Sequence, residues 1–551
     1  MEVTYDPIHL PYDSSYQMEQ ADHWRRVRAK SYELNKSRSD ALNEVDNASF
    51  SRFHLRVCMV AGVGFFIDAY DIFSISIVST MLSYVYNNGN SQLDSTQDLL
   101  IKIATPIGTF IGQLLFGWLG DVYGRKKMYG TEITIILIGT LAQAVAGTGS
   151  AVNIIRVLFL WRLVTGIGIG GDYPLSAIIT SEFAPVHIRG RLMSVVFAKQ
   201  GWGQLAAAVV ALGAISASKR SLQENDVHTV DVLWRIIVGL GCVPSAIALY
   251  MRLTIPETPR FTMDIERNVE QAVQDVENFL TAGKFFNDPD ATIQHVNAPK
   301  ASFADFREYF SDWDNLKTLI GVCYSWLALD VTFYGLTLNN NIVLQAIRLG
   351  PAVDWFDNLY QLSISNMIII LGGAIPGYWV SFLLIDRIGR KPIQYLGFTM
   401  LTILFVIMST AYKPLTENQH SEKIFVVLYC AANFFQNFGP NTTTFIIPAE
   451  LFPSRYRSTV YGIVAACGKL GAILVQIGFS SVDVSSSSDS DSQVDHSKLQ
   501  KIIGVLAIVM CSGIASTYLI PETNQKSLEE LSNEDQGEYI IGLAQPRVVL
   551  E

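Results

Sequence analysis

The sequence predicts an all-α membrane protein in which twelve transmembrane helices form two six-helix bundles. Three observations favour this fold: a low content of charged residues, twelve long apolar runs, and motifs that recur at one offset in the two halves of the chain. Only 16% of the 551 residues are charged, compared with about 25% in an average soluble protein. A soluble fold of this length needs more charge to cover its surface, so we expect much of the chain to face lipid.

Twelve apolar runs are each long enough to cross a bilayer, whose hydrocarbon core requires about 20 residues of helix. They lie at 55–84, 100–120, 128–148, 153–181, 192–216, 232–252, 316–347, 359–384, 393–412, 423–447, 459–480 and 501–520. An even number of crossings places both ends of the chain on the same side of the membrane.

Basic residues flank alternate ends of these runs. The clusters Arg125–Lys127 and Arg387–Lys391 follow the second and eighth runs, whereas 87–97 and 147–153 contain no Lys or Arg. Because cytoplasmic loops carry the excess of Lys and Arg, both termini are predicted to be cytoplasmic. The predicted parts are a cytoplasmic N-terminal arm (1–54), a first six-helix bundle (55–252), a cytoplasmic central loop (253–315), a second six-helix bundle (316–520) and a cytoplasmic tail (521–551).

The composition argues against several other classes of protein. The net charge is −10, but no long basic stripe is present, so binding of nucleic acid has no support. The six cysteines lie in apolar runs without a C-x-x-C pair, which predicts packing residues rather than a disulfide framework or a metal site. No pairing of a nucleophile with a base is apparent, so we expect neither an enzyme nor a cofactor. The polar N-terminal arm does not have the pattern of a cleaved signal peptide.

Two motifs recur at equivalent places in the two halves. Asp121–Lys126 (D-V-Y-G-R-K) returns as Asp386–Lys391 (D-R-I-G-R-K), 265 positions later. Pro256–Thr258 returns as Pro521–Thr523 at the same offset of 265. These matches indicate a duplicated six-helix unit, and such repeats build transporters whose substrate site lies near the midplane between the halves.

A third repeat places a glutamate seven residues before an arginine in each half, and all three motifs fall at predicted cytoplasmic helix ends. Carboxylate and guanidinium groups can pair across neighbouring helix ends. We therefore expect these side chains to latch the cytoplasmic face rather than to contact substrate. The predicted gate residues are Asp121, Arg125, Glu182, Arg189, Asp386, Arg390, Glu450 and Arg457.

Several longer segments, with these motifs, give the chain a resemblance to a known family. They are Gly170–Ser176 (G-G-D-Y-P-L-S), Ser181–Phe183, Gly389–Pro392, Phe435–Thr444 and Arg455–Thr459. The chain resembles the major facilitator superfamily and, within it, the fungal high-affinity phosphate:proton symporters. The motif D-x-x-G-R-K alone is typical of the whole superfamily, whereas Gly170–Ser176 is specific to the phosphate symporters. The resemblance covers about 57–530 and implies the major facilitator fold and proton-coupled import of inorganic phosphate.

Five ionisable residues lie deep inside predicted spans: Asp68, Asp71, Asp172, Asp330 and Lys469. A charge at the bilayer centre costs about 2.5–3.5 kcal/mol on insertion scales, so such residues normally line a cavity, pair, or carry protons. Asp71 follows Asp68 by three residues and is predicted to share its helical face. Asp330 is the repeat partner of Asp68 in the second half.

The resemblance implies a role for each of these residues and for several polar neighbours. Trp326, Asp330 and Tyr334 are spaced to form one stripe along a helix. The family's proton-coupling positions correspond to Asp68, Asp71 and Asp172. Its phosphate site corresponds to Tyr173, Gln200, Trp326, Asp330, Tyr334 and Asn441, with Lys469 close by.

An aspartate in a phosphate site is chemically sensible under either of two conditions. The ligand enters as the hydrogen-rich monoanion, which donates to the carboxylate, or Asp330 is itself protonated. In both cases proton uptake and phosphate binding favour each other by thermodynamic linkage. Lys469 supplies the positive charge that holds the anion.

Structural alternatives remain open for all of these residues. Asp68 and Asp71 form a static ion pair with Lys469 in one alternative, and Asp172 caps a helix break at Gly170–Gly171 in another. Tyr173 and Trp326 are ordinary packing aromatics in a third alternative. In a fourth, the side chains of Gln200, Tyr334 and Asn441 form hydrogen bonds between helices. Lys199, where close relatives usually carry asparagine, faces either the cavity or lipid.

A glycine-rich run, Gly166–Gly171, satisfies the dinucleotide-binding pattern G-x-G-x-x-G but lies inside a predicted span and follows no strand. We expect these glycines, with Gly108 and Gly112, to allow close approach of helices.

Three functions compete on the sequence alone. The first is a phosphate:proton symporter that acts as a monomer in the plasma membrane, with the endoplasmic reticulum or another endomembrane as the alternative. The second is a proton-coupled carrier of an organophosphate, such as a glycerophosphodiester, or of a sugar. The third is a transporter-like nutrient sensor that signals through its cytoplasmic arm.

Overall fold

The computed structural model describes residues 36, 39–87, 93–147, 153–253, 258, 260, 302–340, 343, 354–416, 419–482 and 496–532. Across these ranges the regular structure is helical, and no strand occurs in them. The central part of the predicted loop 253–315 and most of both termini lie outside the described residues.

The first half of the chain contains six long helical segments. They are α1 (Arg52–Tyr86), α2 (Ser95–Tyr123), α3 (Thr131–Ala144), α4 (Ile154–Phe183), α5 (Arg189–Ala217) and α6 (Val227–Gly239, continuing as Cys242–Arg252). The short helix Arg125–Met128 joins α2 to α3.

The second half repeats this order. Its segments are α7 (Trp313–Thr337), α8 (Trp355–Ile388), α9 (Arg390–Thr410), α10 (Gln419–Phe438, continuing as Pro440–Leu451), α11 (Arg457–Val482) and α12 (His496–Tyr518). A π-helical turn, Ile370–Ala374, interrupts α8.

Ten of the described helices are long and apolar enough to cross a membrane unaided. The other two segments, α3 and α10, depart from the predicted uniform runs. α3 contains only 14 residues and ends at Ala144. α10 breaks at Gly439. The next residue, Pro440, has no N–H group and therefore cannot donate the backbone hydrogen bond that would continue the helix. Gly439 also packs so closely on Gly397 that a Cβ atom added at Gly439 would lie 2.5 Å from the Gly397 Cα atom.

Glycines set the distance between several helices, as expected for Gly108, Gly112 and the run Gly166–Gly171. A Cβ atom added at Gly108 or Gly112 would lie 2.1 Å from the carbonyl oxygen of Leu163 or Ile167 in α4. The backbones of α2 and α4 are therefore in direct contact, and the predicted close approach is confirmed.

The two halves meet along two pairs of helices, α2 with α11 and α5 with α8. Large apolar side chains cover the outside of the bundle, among them Leu115, Ile138, Leu160, Leu383 and Ile508. Such a surface is suited to lipid. Polar and charged side chains collect instead between the halves and at one end, which we call the motif face because it carries Asp121–Lys126 and Asp386–Lys391.

Candidate functional site

A buried ion pair lies at the centre of the molecule. The ammonium group of Lys469 in α11 donates a hydrogen bond of 2.7 Å to the Asp330 carboxylate in α7, and each side chain is only 2% exposed. The Lys469 Nζ atom also lies 5.1 Å from the ring centre of Tyr173 and 4.5 Å from that of Tyr334. Because cations are attracted to aromatic faces, these rings share the lysine's charge with Asp330. Tyr173 comes from α4, so both halves contribute to the site.

A chain of hydrogen bonds extends this site across the interface between the halves. Gln200 donates to the Tyr173 hydroxyl (3.2 Å), and the Tyr378 hydroxyl donates to the Gln200 carbonyl oxygen (2.7 Å). Asn441 in turn donates to the Tyr378 hydroxyl (2.8 Å). The Trp326 ring lies beside Tyr173, with 6.4 Å between the ring centres. The structure thus brings all seven residues of the predicted substrate site into one cluster, and each is at most 4% exposed.

Three phenylalanine rings fill the space between this cluster and the motif face. The Phe445 ring stacks on the Phe197 ring, with 4.4 Å between the ring centres, and meets the Phe65 ring edge-on, with 5.1 Å between the centres. The Phe65 ring also meets the Tyr173 ring edge-on, and their centres are 5.1 Å apart. These rings come from α1, α5 and α10, so they form a plug to which both halves contribute.

On the other side of the cluster lies a cavity with amide groups in its wall. Its lining includes Gln204, which is one turn beyond Gln200 on α5, together with Asn340, Asn366 and Asn433. The central cluster is thus closed by aromatic rings toward the motif face and bordered by this cavity toward the opposite face.

Asp68 is fully buried, and neither of its carboxylate oxygens has a hydrogen-bond partner among the described residues. Its carboxylate is close enough to interact electrostatically with the carboxylates of Asp172 and Asp71 and with the Arg252 guanidinium. A buried charge without a partner is costly, and a proton on the carboxyl group removes that cost.

Asp172 belongs to a buried network that was not predicted from the sequence. Its carboxylate accepts a hydrogen bond of 2.6 Å from Arg252 in α6 and another from Ser176. Arg252 also pairs with Glu132 in α3 and lies over the Tyr129 ring, 4.4 Å from its centre. α4 runs unbroken past Gly170–Gly171, so the alternative that Asp172 caps a helix break is wrong.

Asp71 points into the first half. Its carboxylate accepts a hydrogen bond of 2.8 Å from Thr140 in α3 and lines a small polar cavity with Gln143, Arg162 and Thr165. Since Lys469 pairs with Asp330, the alternative of a static ion pair between Lys469 and Asp68 or Asp71 is also wrong.

Residues 57–534 match the family of sugar (and other) transporters. The chain belongs to this transporter family. It is 46% identical over 520 residues to the repressible high-affinity phosphate permease of Neurospora crassa, covering 91% of this chain and 90% of that protein. It is 41% identical over 514 residues to the inorganic phosphate transporter PHO84 of Saccharomyces cerevisiae, covering 89% and 86%. These relatives confirm the resemblance to the fungal phosphate symporters, and they are transporters, not enzymes.

Solved structures show the same fold. The proton:xylose symporter XylE, a major facilitator protein solved with 6-bromo-6-deoxy-D-glucose bound, superposes with a TM-score of 0.66 at 20% sequence identity. The match covers 88% of this chain and 99% of that one. The predicted multi-pass major facilitator fold, with its two six-helix bundles, is thereby confirmed.

In this member of the transporter family, the gate motifs connect the two halves through helix caps as well as ion pairs. The Asp121 carboxylate accepts hydrogen bonds from the backbone N–H groups of Ser458 (3.3 Å) and Thr459 (2.7 Å) at the start of α11. Asp386 does the same for Gly190 (3.1 Å) and Arg191 (2.9 Å) at the start of α5. Each carboxylate thus satisfies free N–H groups at a helix N-terminus of the other half, where negative charge is also favoured by the helix dipole.

The arginines of these motifs complete the connection, but not symmetrically. In one repeat Arg457 donates to Glu182 across the interface (3.1 Å), and Arg125 also donates to Glu182 (3.5 Å). In the other repeat Arg390 binds Glu450 (2.9 Å) within the second half.

Arg189, the counterpart of Arg457, pairs instead with Asp46 of the segment 39–46 (3.2 Å). Arg260 donates to the same carboxylate (3.1 Å) and also pairs with Glu529 near the C-terminus (2.8 Å). The N-terminal arm and the C-terminal tail are therefore tied to this cluster, which the sequence motifs did not reveal.

Lys199 lies neither in the central site nor fully in lipid. It is half-buried between α5 and α1, where a Cβ atom added at Gly62 would lie 2.7 Å from the Lys199 Cγ atom. The lysine's aliphatic stem thus fills the seam that Gly62 leaves open.

Three residues of the candidate site were not predicted from the sequence: Tyr378, Glu132 and Arg252. Glu132 and Arg252 lie within predicted spans, so their charges were a usable signal. Tyr378 carried none, because an uncharged tyrosine in an apolar run is indistinguishable from a packing residue until the helices are assembled.

Proposed function

We propose that this transporter imports inorganic phosphate together with protons by alternating access. The observation that carries the proposal is the buried pair of Asp330 and Lys469, enclosed by aromatic and amide groups from both halves. The names of the N. crassa and S. cerevisiae relatives support phosphate as the substrate.

The chemistry of the cluster suits the phosphate monoanion. Lys469 offers a positive charge, and the side chains of Tyr173, Gln200, Trp326 and Asn441 carry N–H or O–H donors for the remaining oxygens. Asp330 accepts a hydrogen bond from a protonated phosphate oxygen. Phosphate therefore inserts between Lys469 and Asp330. Their direct hydrogen bond is then replaced by one from Lys469 to phosphate and one from phosphate to Asp330.

Protons are handled beside this site, in the first half. Asp68 has no described hydrogen-bond partner, so a proton on it removes an unpaired buried charge. Asp172 is held by Arg252, and a change in this pair alters the electrostatic field at Asp68. Asp71 provides a further carboxylate toward α3. Protonation of Asp68 lowers the negative charge near the cluster, and this favours the arrival of an anion.

The charges of the cluster favour inorganic phosphate over an uncharged sugar, because the buried Lys469 attracts an anion and Asp330 accepts a hydrogen bond from a protonated phosphate oxygen. A carrier of organophosphates or sugars is the second candidate.

The structure corresponds to a state closed at the motif face. Basic residues concentrate at this face, so by the positive-inside rule it is cytoplasmic, as are both termini. We place the protein in the plasma membrane, with the cavity beside Gln204 on the side of the external medium.

The test is uptake of labelled phosphate into transporter-deficient cells, at several external pH values and with a protonophore. We expect saturable uptake that is faster at acid pH and collapses with the protonophore. Asp330→Asn should abolish uptake while the protein still reaches the membrane. Near-normal uptake by this variant would refute the site, and stronger competition by glycerophosphodiesters than by phosphate would favour the second candidate.

A further inference from the structure

Two cysteines face each other where α7 packs against α11. Cys323 lies in α7 and Cys467 in α11, and both are free, partly buried thiols. The two thiols lie close enough across the contact between these helices to interact with each other. Neither belongs to the cluster around Asp330 and Lys469, and the transport mechanism proposed above does not use them.

The packing of the two helices independently places these thiols together. α7 and α11 run parallel, as two successive contacts show. A Cβ atom added at Gly471 would lie 2.4 Å from the Leu327 carbonyl oxygen, and farther along Gln476 donates to the Tyr334 carbonyl oxygen at 2.9 Å. One helical turn before Leu327 and Gly471 stand Cys323 and Cys467. Because the helices are parallel and in close contact at Gly471, the two cysteines one turn earlier also face each other.

The seam that holds the thiols faces outward from the bundle. The residues next to it, Tyr324 and Leu470, are 42% and 40% exposed, and this surface is the one that lipid covers. A small uncharged oxidant that crosses membranes can reach the thiols from the lipid side without passing through the substrate site.

We propose that Cys323 and Cys467 are an oxidation site at which a hydroperoxide forms a disulfide between α7 and α11, and that this bond slows transport. One thiolate attacks a peroxide oxygen, which breaks the O–O bond and gives a sulfenic acid and, with H2O2, one water. The second thiol attacks that sulfur and displaces a second water. Two thiols thus lose two electrons and two protons, and one H2O2 becomes two H2O.

The effect on transport follows from the position of the pair. Cys467 precedes Lys469 by two residues, and Cys323 precedes Asp330 by seven. A disulfide holds the Cβ atoms about 3.5–4.5 Å apart, so it fixes the spacing of the helices that carry the ion pair. Phosphate must separate Asp330 from Lys469 to bind, and the cross-link opposes that separation. This second part rests on the proposed function.

The cross-link is tested on the purified full-length protein. The protein is treated with hydrogen peroxide, the remaining thiols are alkylated, and the peptides are identified by mass spectrometry without reduction. We expect a linked peptide pair containing Cys323 and Cys467, lost in Cys323→Ser and in Cys467→Ser but retained in the matched control Cys430→Ser. Absence of this linked pair, while exposed Cys511 reacts normally with the alkylating reagent, would overturn the proposal.

The effect on transport is tested in vesicles with the same variants. We expect peroxide to lower phosphate uptake by the wild type and by Cys430→Ser, and dithiothreitol to restore it. Uptake by Cys323→Ser and by Cys467→Ser should not change on treatment with peroxide. Equal loss in all variants would overturn the inhibitory role. If reduced protein transports no phosphate at all, the proposed function fails, whereas the linked peptide still establishes the oxidation site.

Discussion

The hydrogen bonds of single side chains hold the candidate site together, because they link residues from different helices. Tyr378 joins Gln200 of the first half to Asn441 of the second through one hydroxyl group. It lies in α8, outside every motif in the sequence, and yet it is the link between two predicted substrate residues. Its role follows from the packing of α8 against α5, which only the assembled fold provides.

Replacement of Tyr378 by phenylalanine tests this link. The ring stays in place, but Gln200 loses a donor and Asn441 loses an acceptor. A net hydrogen bond contributes about 0.5–1.5 kcal/mol, so we expect the KM for phosphate to rise by roughly twofold to tenfold for each bond lost. Uptake kinetics measure this change. The matched control is Tyr360→Phe, which alters a partly buried tyrosine nearer the start of α8; equal KM values in the two variants would contradict the role of Tyr378.

Asp68 permits a second test at this scale. Asp68→Asn keeps the shape of the side chain but cannot gain or lose a proton in the physiological range. We expect uptake driven by the proton gradient to fall strongly and the dependence on external pH to flatten, while exchange of phosphate without a gradient persists. Parallel measurements of uptake and exchange check this. An unchanged pH profile would remove Asp68 from the proton pathway.

At the scale of helices, glycines decide which side chains can meet. Gly64 in α1 lies against the pair of Arg252 and Asp172, and a Cβ atom there would be 1.9 Å from the Arg252 Nη2 atom and 2.0 Å from the Asp172 Oδ2 atom. The network in the first half thus exists because α1 has no side chain at this position. From the sequence alone, Gly64 cannot be distinguished from the other glycines in the apolar runs.

The substitution Gly64→Ala should therefore destabilise the protein. Overpacking of a filled interior costs typically 1–3 kcal/mol, and here the displaced groups are a buried ion pair, so we expect about 3 kcal/mol and a lower Tm in detergent. Gly213→Ala is the control, since an added Cβ atom meets nothing within 4 Å at that position of α5. If both variants melt at the same temperature, Gly64 does not have this role.

At the scale of the whole molecule, hydrogen bonds and ion pairs hold the two halves together at the motif face, and both halves contribute to the proposed substrate site. Asp121 and Asp386 each cap a helix of the opposite half, and Glu182 pairs with Arg457 across the interface. Each of these contacts joins the two halves across the closed face, so it must break for the halves to separate there. Their breakage and re-formation are therefore what alternating access requires of this end of the bundle.

Loss of Arg457 should shift the balance between the two states. Removing one partner of a buried ion pair costs about 3–5 kcal/mol, so in Arg457→Ala we expect the motif face to open and uptake to fall. A single cysteine introduced at Phe445, in a background without native cysteines, should then react faster with a water-soluble maleimide added from that face. Arg220→Ala is the control, because Arg220 and its neighbouring partner Glu224 are 94% and 67% exposed and do not connect the two halves. Equal labelling rates would argue against the latch.

Four features could be predicted from the order of the amino acids: the number of membrane crossings, the duplication of the bundle, the family and the buried charges of the candidate site. These predictions are possible because a bilayer imposes constraints that act along the chain: the length of each apolar run, the cost of each charge, and the spacing of repeats. The pairing of particular side chains could not be predicted in this way. That Arg252 binds Asp172, that Arg189 binds Asp46 rather than mirroring Arg457, and that Cys323 meets Cys467 all depend on the rotation and register of packed helices. The rotation and register of the helices are fixed by side-chain packing between segments far apart in the chain, so they cannot be predicted from any local sequence pattern.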